Sequence, residues 1–568
     1  MIEPVIEERC DGCGLCMIYC AHEILQFDRL RRKAFLVRPE ECDCCYRCVR
    51  HCPQDALRVV HALTASYPVE PVGGTFPLRE TTIQNQTGPM PEMPERTDVI
   101  VIGAGAAGLV AAISARENGA SVLVLDKAPN IHKTNTSRSG GNIRPHPEIH
   151  RNPEGRELTV EERVQQAQAL TGGRVDPELI SAFAEHIDDD IQWLTHLGMR
   201  WKEKSGNPRA AAVVTPQGDG PGLNKQLLRM AQTAGATVIF SVKVLGLLTD
   251  SSGVVTGINA MTPMGSRKIR AGAVVLATGG FQANQEMLIR YMGASFTHAT
   301  RLVGSPFSTG DGHRLAEAMN AKLVHMDQFH CSLADRNRVP GTAGGSRVYQ
   351  LNPLTAYGIL VNRLGRRFVD EGVEGDSVAC SILAQPGWEA ALIMDEGIRA
   401  MDPGKVDGYM PPGTLVKVQS LQELSRVIGC PYGELQRTLA EFNASVRDGA
   451  AIGLDVPKAR WAFKIETPPY YCVHPVWATL NCTLGGPQIT ARTQVLSLEN
   501  APIPGLYAAG EMVGGFYFGR NYLTEGGATY YAGNYLQTTA SLATCLVFGR
   551  IAGKEAAAQA LLVAHRPG

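Results

Sequence analysis

Cysteines are the residues of this sequence whose type and spacing point most directly to chemistry. Nine of the 15 cysteines in the 568 residues lie between Cys10 and Cys52. Eight of them form two runs with the same spacing, CxxCxxCxxxC, and the second run ends in Cys52-Pro53. Thiolates this close together in the chain are suited to holding a metal centre rather than to forming disulfides. The spacing therefore predicts metal binding near the N-terminus.

The two runs resemble those of bacterial two-cluster ferredoxins, in which three close cysteines bind one [4Fe-4S] cluster and the fourth reaches the other cluster. This pattern assigns eight ligands to two clusters: Cys10, Cys13, Cys16 and Cys52 to one, and Cys42, Cys45, Cys48 and Cys20 to the other. Cys44 is left over, and Ala21 follows Cys20 where these ferredoxins usually have proline. A zinc site is the alternative, but two duplicated four-ligand runs favour the clusters.

A glycine-rich turn is the second chemical feature. Residues 98–102 are a short apolar run rich in valine and isoleucine, and Gly103, Gly105 and Gly108 follow it. This pattern predicts a buried strand that enters a turn, then a helix over residues 106–117 and a second strand over residues 121–125. Phosphate groups can approach Gly105 and lie at the N-terminal end of the helix. Asp126 ends the second strand and is placed for a ribose hydroxyl, so we predict dinucleotide binding, without choosing between FAD and NAD.

Composition excludes several classes of function. With 54 basic and 55 acidic side chains, the chain has no strong net charge to attract nucleic acid or an anionic membrane. The sequence has no apolar run of 18 residues, and its first ten residues lack a signal-peptide pattern, so we expect a cytoplasmic protein with no integral membrane segment. Its length predicts two to four domains, and the prolines of residues 63–96 indicate a linker.

Six further motifs follow the glycine turn in the order found in the fumarate reductase and succinate dehydrogenase flavoprotein family. They are NTSRSGGN (135–142), ATGG (277–280), STGDG (308–312), GILVNRLGRRFVDE (358–371), TLGG (483–486) and GLYAAGE (505–511). The chain resembles that family from about Thr97 to Ala558. The resemblance implies FAD and a Rossmann-like, doubly wound α/β FAD-binding domain with an inserted α+β capping domain, here behind an N-terminal α+β ferredoxin domain of the bacterial type.

The implied boundaries divide the chain into five segments: ferredoxin domain 1–62, linker 63–96, FAD-binding domain 97–283 and 479–568, and capping domain 284–478. The resemblance also implies which residues contact FAD: Gly103, Gly105, Ala106, Ala107, Gly108, Asp126, Lys127, Asn135, Thr136, Ser139, Gly140, Gly141, Ala277, Thr278, Gly279, Asp311 and Glu511.

Three positions depart from the family pattern. Membrane-bound members link FAD covalently to a histidine where this chain has Asn135, so we expect FAD to be bound non-covalently. Gly375 stands where fumarate reductases have a proton-donating arginine, and Cys482 stands where they have a histidine that holds a substrate carboxylate. These two changes predict that succinate and fumarate are not the substrates.

The C-terminal stretch GEMVGGFYFGRNYLTEGGA (510–528) resembles tricarballylate dehydrogenase and the 3-ketosteroid dehydrogenases. In the latter, a tyrosine and a glycine N-H four residues later polarise the substrate carbonyl, and Tyr522 and Gly526 have that spacing. Such donors can stabilise a developing oxyanion, but Tyr522 can equally be a packing residue. Arg520 can pair with a carboxylate or be a surface cation.

These features predict an enzyme that reduces or forms a carbon-carbon double bond next to a carbonyl or carboxylate of a small-molecule substrate. Electrons would pass between FAD and an external one-electron carrier (a ferredoxin, a flavodoxin or an electron-transfer protein) through the two clusters. Two alternatives remain open: sulfur chemistry like that of adenylylsulfate reductase, and a non-catalytic electron-transfer subunit. A homo-oligomer is compatible with all three.

Overall fold

The structure is a computed structural model, and it describes the following residues: 5–10, 25–28, 31, 33–37, 56–57, 93–143, 158–171, 173–202, 214–335, 351–372, 375–401, 406–407, 415–516, 519–523, 529–533 and 540–564. Internal contacts divide the chain into two units. The first comprises Met1–Thr82 with Gly341–Gly345, and the second comprises Ile83–Pro340 and Ser346–Gly568. Most of the predicted linker 63–96 lies outside the described residues.

The described part of the N-terminal unit contains an antiparallel hairpin. Strand β1 (Leu25–Asp28) pairs with β2 (Lys33–Leu36), and Leu25 lies opposite Leu36. The segment before Cys10 is hydrogen-bonded to the segment after Cys52, because Ile6 N donates to Ala56 O at 2.8 Å. In the sequence, the hairpin lies between the two cysteine runs. The hydrogen bond between Ile6 and Ala56 joins the segments that flank these runs.

The first part of the second unit contains parallel strands with helices between them, and an antiparallel pair of strands follows. Its strands are β3 (Arg96–Ile102), β4 (Val122–Asp126), β5 (Thr237–Phe240), β6 (Lys243–Thr249), β7 (Val255–Thr262) and β8 (Gly265–Leu276). Its helices are α1 (Ala106–Glu117), α2 (Val160–Thr171), α3 (Pro177–His196) and α4 (Asp219–Thr233). The predicted strand, helix and strand around the glycine turn are confirmed, and Asp176 caps α3 by accepting from Glu178 N at 3.0 Å.

The middle of the chain forms a second sheet with short helices around it. The strands of this part of the chain that belong to the second sheet are β9 (Thr300–Leu302), β11 (Gln328–Asp335), β12 (Ile359–Val361), β13 (Ala390–Asp395), β14 (Val416–Val418) and β17 (Tyr470–Thr483). Strands β15 (Val446–Arg447) and β16 (Ala450–Ala451) pair with each other, and β10 (Leu323–Val324) pairs with Gly486–Pro487. The helices of this part of the chain are α5 (Gln285–Met292), α6 (Ala294–Ala299), α7 (Asp311–Glu317), α8 (Asn352–Thr355), α9 (Gly375–Ser381), α10 (Glu396–Met401), α11 (Leu421–Ile428) and α12 (Tyr432–Ser445).

The chain then returns to the first sheet. The remaining elements are β18 (Gly486–Pro487), β19 (Gln494–Leu496), β20 (Pro502–Ala508), β21 (Gly519–Leu523), β22 (Thr529–Gly533) and α13 (Ala540–Ala564). The first sheet has the order β19-β20-β8-β3-β4-β5, and the antiparallel pair β6-β7 joins it through β8. The second sheet has the order β12-β13-β17-β11-β22-β21, with β9 and β14 also paired to β17.

Parallel pairing brings residues from distant parts of the sequence to one edge of the first sheet. Strands β20, β8, β3, β4 and β5 are parallel neighbours, so their carboxyl ends lie on one side of the sheet. Leu276 is the register partner of both Ile102 and Ala508. Residues that follow these strands therefore meet, although they are distant in sequence. Ligands in open α/β sheets bind at this edge.

Two apolar cores support the two sheets. The core of the first sheet includes β3, β4, β8 and α1, together with the C-terminal helix α13, which packs along α1. The core of the second sheet includes Phe329, Leu360 and Ile393. Leu315 and Ala316 of α7 belong to the first core, although they lie within the predicted capping range 284–478. In the described part of the chain, no helix has the length and hydropathy needed to cross a bilayer.

Candidate functional site

The glycine turn after β3 forms one wall of a cleft. Gly103 has a φ of +112°, and a Cβ atom there would lie 2.2 Å from Ala277 O. A Cβ atom on Gly108 would lie 1.9 Å from Gly103 O, so Gly108 lets α1 pack directly onto the turn. At Gly105 the nearest atom to a Cβ would be Thr136 Oγ1 at 3.4 Å. The turn is thus closed behind Gly103 and open in front of Gly105, as a phosphate cradle requires.

Asp126 is held at the end of β4 by two backbone amides. Its Oδ2 accepts from Ala104 N and its Oδ1 from Ala128 N, each at 2.7 Å. Burial raises the pKa of this carboxyl, and the two amides act in the opposite direction. The acid is therefore fixed at the edge of the glycine turn, where a ribose hydroxyl can reach it.

Lys127 and Asp311 form an ion pair beside this acid. Lys127 Nζ lies 2.6 Å from Asp311 Oδ2, and the two side chains are only 22% and 11% exposed. Asp311 is the first residue of α7, and it also accepts a hydrogen bond from Arg314. Burial alone would raise the pKa of Asp311, but the charge and hydrogen bond of Lys127 bring it down to about 2. This side of the cleft therefore holds an ionised acid with a cation beside it.

Glu511 lies on another part of the cleft wall and has amide partners instead. Its Oε2 accepts from Asn135 Nδ2 at 2.7 Å, and its Oε1 accepts from Gly280 N at 3.2 Å. The other side of the Asn135 amide is also engaged, because Asn135 Oδ1 accepts from Ser305 N at 2.8 Å. Burial raises the pKa of Glu511 to about 7, although Asn135 and Gln282 oppose the shift. An acid in this state can be charged or neutral near pH 7.

The cleft encloses about 810 Å³, part of it open to solvent. Most of the residues expected to contact FAD line it: Gly103, Gly105, Ala106, Ala107, Asp126, Lys127, Asn135, Thr136, Ala277, Thr278, Gly279, Asp311 and Glu511. The other four of that set are not among the lining residues: Gly108, Ser139, Gly140 and Gly141. Ser139 Oγ donates to Thr136 O at 2.7 Å, so this residue shapes the loop.

Several lining residues had not been identified from the sequence: Ile102, Leu125, Ala128, Thr134, Val242, Val244, Ser305, Phe307, Ser308, Leu315, Ala509 and Cys545. Residues 305–308 lead directly into the STGDG motif, so that motif could have identified them from the sequence. Asn224 had no such signal. It is fully buried on α4, and its Nδ2 donates to Thr134 Oγ1 at 2.7 Å and to Ala104 O at 3.3 Å, so it ties the two cofactor loops together.

One face of the second sheet is polar, and we call its residues His330, Ser332, Thr479 and Asn481 the polar face. Phe329, Cys331 and Leu333 alternate with His330 and Ser332 along β11 and lie in the core of the second sheet. Asn481 Nδ2 donates to Ser332 Oγ at 2.6 Å, and Thr479 Oγ1 donates to Ser332 O at 2.9 Å. The polar face is close to the cofactor cleft, because Gln282, whose side chain hydrogen-bonds to Glu511, also donates through Nε2 to Asn481 O at 3.4 Å.

The residues that the sequence analysis compared with related enzymes lie at the following places in the fold. His330 pairs across the strands with Cys482, which is 6% exposed. Gly375 begins α9. Arg520 and Tyr522 lie on β21, with Tyr522 opposite Tyr530 of β22, and β22 in turn pairs with β11. Gly526 lies outside the described residues.

The cysteine ligands fall mostly outside the described residues. Only Cys10 of the eight is described, and its thiol is half-buried and free. Lys33 Nζ donates to the carbonyl oxygens of Glu7, at 2.8 Å, and of Cys10. The residues that the structure describes contain no group of three or more metal-ligating side chains. The predicted cluster sites remain a prediction from spacing.

The lining of the cleft fits a dinucleotide. An open glycine turn lies at the start of a helix, an acid is positioned beside it, and the N-cap residue Gly105 has no side chain of its own to cap α1. The first amide of the helix, Ala106 N, donates to Thr136 Oγ1 at 2.9 Å. A bound diphosphate can therefore take the position of a helix cap.

Comparison with known proteins agrees with this geometry. Residues 98–526 match the model of a family described as an FAD binding domain. A probable fumarate reductase, Ifc3, of Shewanella frigidimarina is 31% identical over 478 residues, which cover 82% of this chain and 76% of that protein. Urocanate reductase of Eggerthella lenta is 30% identical, with 83% and 77% covered.

Solved structures give the same result. The open conformation of a flavocytochrome c3 fumarate reductase superposes with a TM-score of 0.63 at 28% identity, over 82% of this chain and 79% of that one. A 3-ketosteroid-Δ4-(5α)-dehydrogenase from Rhodococcus jostii has a TM-score of 0.63 at 25% identity, over 82% of this chain and 98% of that one. This chain belongs to the FAD-binding family of fumarate reductase and succinate dehydrogenase flavoproteins. It is an FAD-dependent oxidoreductase that acts on CH-CH groups.

Proposed function

We propose that this enzyme reduces, or in reverse forms, a carbon-carbon double bond next to a carbonyl or carboxylate, and exchanges electrons with a one-electron carrier through two [4Fe-4S] clusters. The observation that carries the proposal is the position of the polar face close to the FAD cleft, to which the hydrogen bond from Gln282 to Asn481 O joins it. A substrate needs both an apolar, dry environment at the reacting carbon and polar groups that fix its oxygen atoms.

Bound FAD would supply the hydride chemistry. The protein would hold it non-covalently, because Asn135 has no nucleophilic nitrogen and both sides of its amide are already hydrogen-bonded, to Glu511 and to Ser305. Asp126 would hold the ribose, and the turn at Gly105 would hold the diphosphate. This assignment predicts that acid precipitation releases all of the flavin.

Three residues would act on the substrate. Tyr522 and the Gly526 N-H would donate to its carbonyl oxygen, and Arg520 would pair with a carboxylate. The pairing of β22 with both β21 and β11 supports this, because it links the strand of Tyr522 to the strand that carries the polar face. The relatives that act on fumarate and urocanate support a substrate with an activated double bond. Cys482 and Gly375 still predict that fumarate is not the substrate.

The N-terminal unit would pass electrons between an external carrier, such as a ferredoxin, a flavodoxin or an electron-transfer protein, and the flavin. Two features support the proposed cluster-binding domain. The β1-β2 hairpin lies between the two cysteine runs, and the Ile6-Ala56 hydrogen bond joins the segments that flank them. Thiolate ligands of this kind need a reducing compartment, so we also propose a cytoplasmic location.

A panel of oxidants tests the proposal. The anaerobic enzyme is photoreduced and mixed with enones, with unsaturated acids that include fumarate, urocanate and acrylate, and with adenylylsulfate. We expect an enone or an unsaturated acid other than fumarate to restore oxidised flavin absorbance within milliseconds to seconds. Reoxidation by adenylylsulfate alone would replace the proposal with sulfur chemistry. Reoxidation by the carrier but by no substrate would indicate an electron-transfer subunit.

A further inference from the structure

Glu511 has neutral hydrogen-bond donors, as Asp126 does, but it differs from Asp126 and Asp311 because the charge of Lys127 does not stabilise its ionised form. It follows β20 in a short 3-10 turn, Gly510–Met512, and its side chain lines the cleft. Its donors come from separate segments of the chain: Asn135 Nδ2 at 2.7 Å, Gly280 N at 3.2 Å and the side chain of Gln282. Among the described residues, no lysine or arginine forms an ion pair with it.

Among the described residues, two titratable side chains interact with Glu511. One is His330 on β11, and a positive charge on this side chain would favour the ionised acid. On α13, Cys545 lines the same cleft, and burial raises the pKa of its thiol to about 12, so the thiol is neutral near pH 7. Asp311, in contrast, has Lys127 at 2.6 Å. The surroundings of Glu511 therefore compensate a negative charge much less than those of Asp311 do.

We propose that Glu511 is a proton-binding site of the cofactor cleft, which takes up a proton when FAD binds and stays neutral in the FAD-bound enzyme. Without FAD, the cleft contains water that helps to solvate the carboxylate. FAD would displace this water and bring two phosphate charges into the cleft, and both changes disfavour the ionised acid. The neutral acid can instead donate a hydrogen bond to a neighbouring oxygen. The side-chain oxygen Oε1 of Gln282, which is buried and has no partner among the described residues, is such an acceptor.

This linkage makes FAD affinity depend on pH. With Glu511 titrating near pH 7 in the empty cleft and at higher pH in the occupied one, the dissociation constant of FAD should rise above pH 7 by up to about tenfold per pH unit. Below pH 6 it should be constant, because the acid is then neutral in both states.

The test is a dilution series of the FAD-bound enzyme between pH 5.5 and 8.5, in which free FAD is measured by its fluorescence. The parent should show the rise above pH 7, and Glu511→Gln, which is permanently neutral, should give a nearly flat curve.

Asp190→Asn is the matched control. Asp190 is another buried acid with a raised pKa, but it pairs with Arg550 and does not line the cleft, so this variant should keep the parent curve. A flat parent curve overturns the proposal, as does a Glu511→Gln curve as steep as that of the parent. If Glu511→Gln does not retain FAD, the parent and Asp190→Asn curves decide alone, and a flat parent curve or a flattened Asp190→Asn curve counts against the proposal.

Discussion

The two units of this chain would build their sites in opposite ways. In the N-terminal unit, all eight proposed ligands lie between Cys10 and Cys52, and each is within a few residues of another. In the second unit, the cleft is lined by residues from Ile102 to Cys545, which meet only because parallel strands end at one edge. A site made of sequence neighbours needs little of the remaining fold. A distributed site exists only when the whole sheet is formed, so its function and its stability are coupled.

The first prediction concerns the local site and has the largest effect. Cys48→Ser should remove a ligand of one cluster, so that an external carrier no longer reduces the flavin at a measurable rate. FAD content and the melting temperature of the flavin-binding unit should stay at the parent values. Stopped-flow reduction by a low-potential carrier, with the substrate half-reaction as control, measures both halves. Loss of FAD in this variant would contradict the independence of the two sites.

Gly103→Ala tests the distributed site. The new Cβ would lie 2.2 Å from Ala277 O at a φ of +112°, so strands β3 and β8 cannot keep their register at the turn. We expect the free energy of unfolding to fall by about 3 to 5 kcal/mol and FAD binding to be lost with it. Denaturant unfolding and flavin content are the measurements. Gly119→Ala is a milder control, because that glycine also has a positive φ but no atom within 4 Å of its Cβ position. A Gly103→Ala protein with parental stability and FAD content would show that FAD binding and stability are not coupled at this turn.

Tyr522→Phe should affect chemistry alone. Removal of one donor to a developing oxyanion should slow the step between flavin and substrate by about 10²- to 10³-fold. FAD content and reduction through the clusters should be unchanged, so this variant complements Cys48→Ser. Tyr530→Phe, directly opposite on β22, is the control and should keep the parent rate. If the substrate step of Tyr522→Phe is within about threefold of the parent, Tyr522 is a packing residue.

Asp190 gives the smallest expected effect. It is 2% exposed and pairs with Arg550 at 2.6 Å, and burial raises its pKa to about 6, against an ordinary value of 3.8. Because the folded state binds this proton more tightly, Asp190 should contribute stability to the parent as the pH falls from 7 to 4, and Asp190→Asn should lack that contribution. This contribution of Asp190 to the free energy of unfolding amounts to at most about 3 kcal/mol. Urea unfolding at both pH values measures it, and identical pH profiles would show that Asp190 titrates normally.

The same contrast explains what could be predicted from the sequence. The strand, turn and helix at residues 98–117 follow from local pattern, and the structure confirms them. Asp126 was identified because it is a fixed number of residues from the turn. Asn224 and His330 were not identified, because their roles arise from packing between elements that are distant in sequence. The raised pKa of Glu511 was also not predictable, since it depends on burial and on the identity of its hydrogen-bond partners.

Electron counting tests the central claim most directly. The anaerobic enzyme is fully reduced, excess reductant is removed, and a substrate identified in the panel is added in excess. FAD stores two electrons and each [4Fe-4S] cluster one, so the chain should form about two molecules of reduced product per FAD. About one molecule of product per FAD would mean that the cysteine runs do not supply electrons. No product, with the flavin still reduced, would contradict the account of this chain as a double-bond reductase.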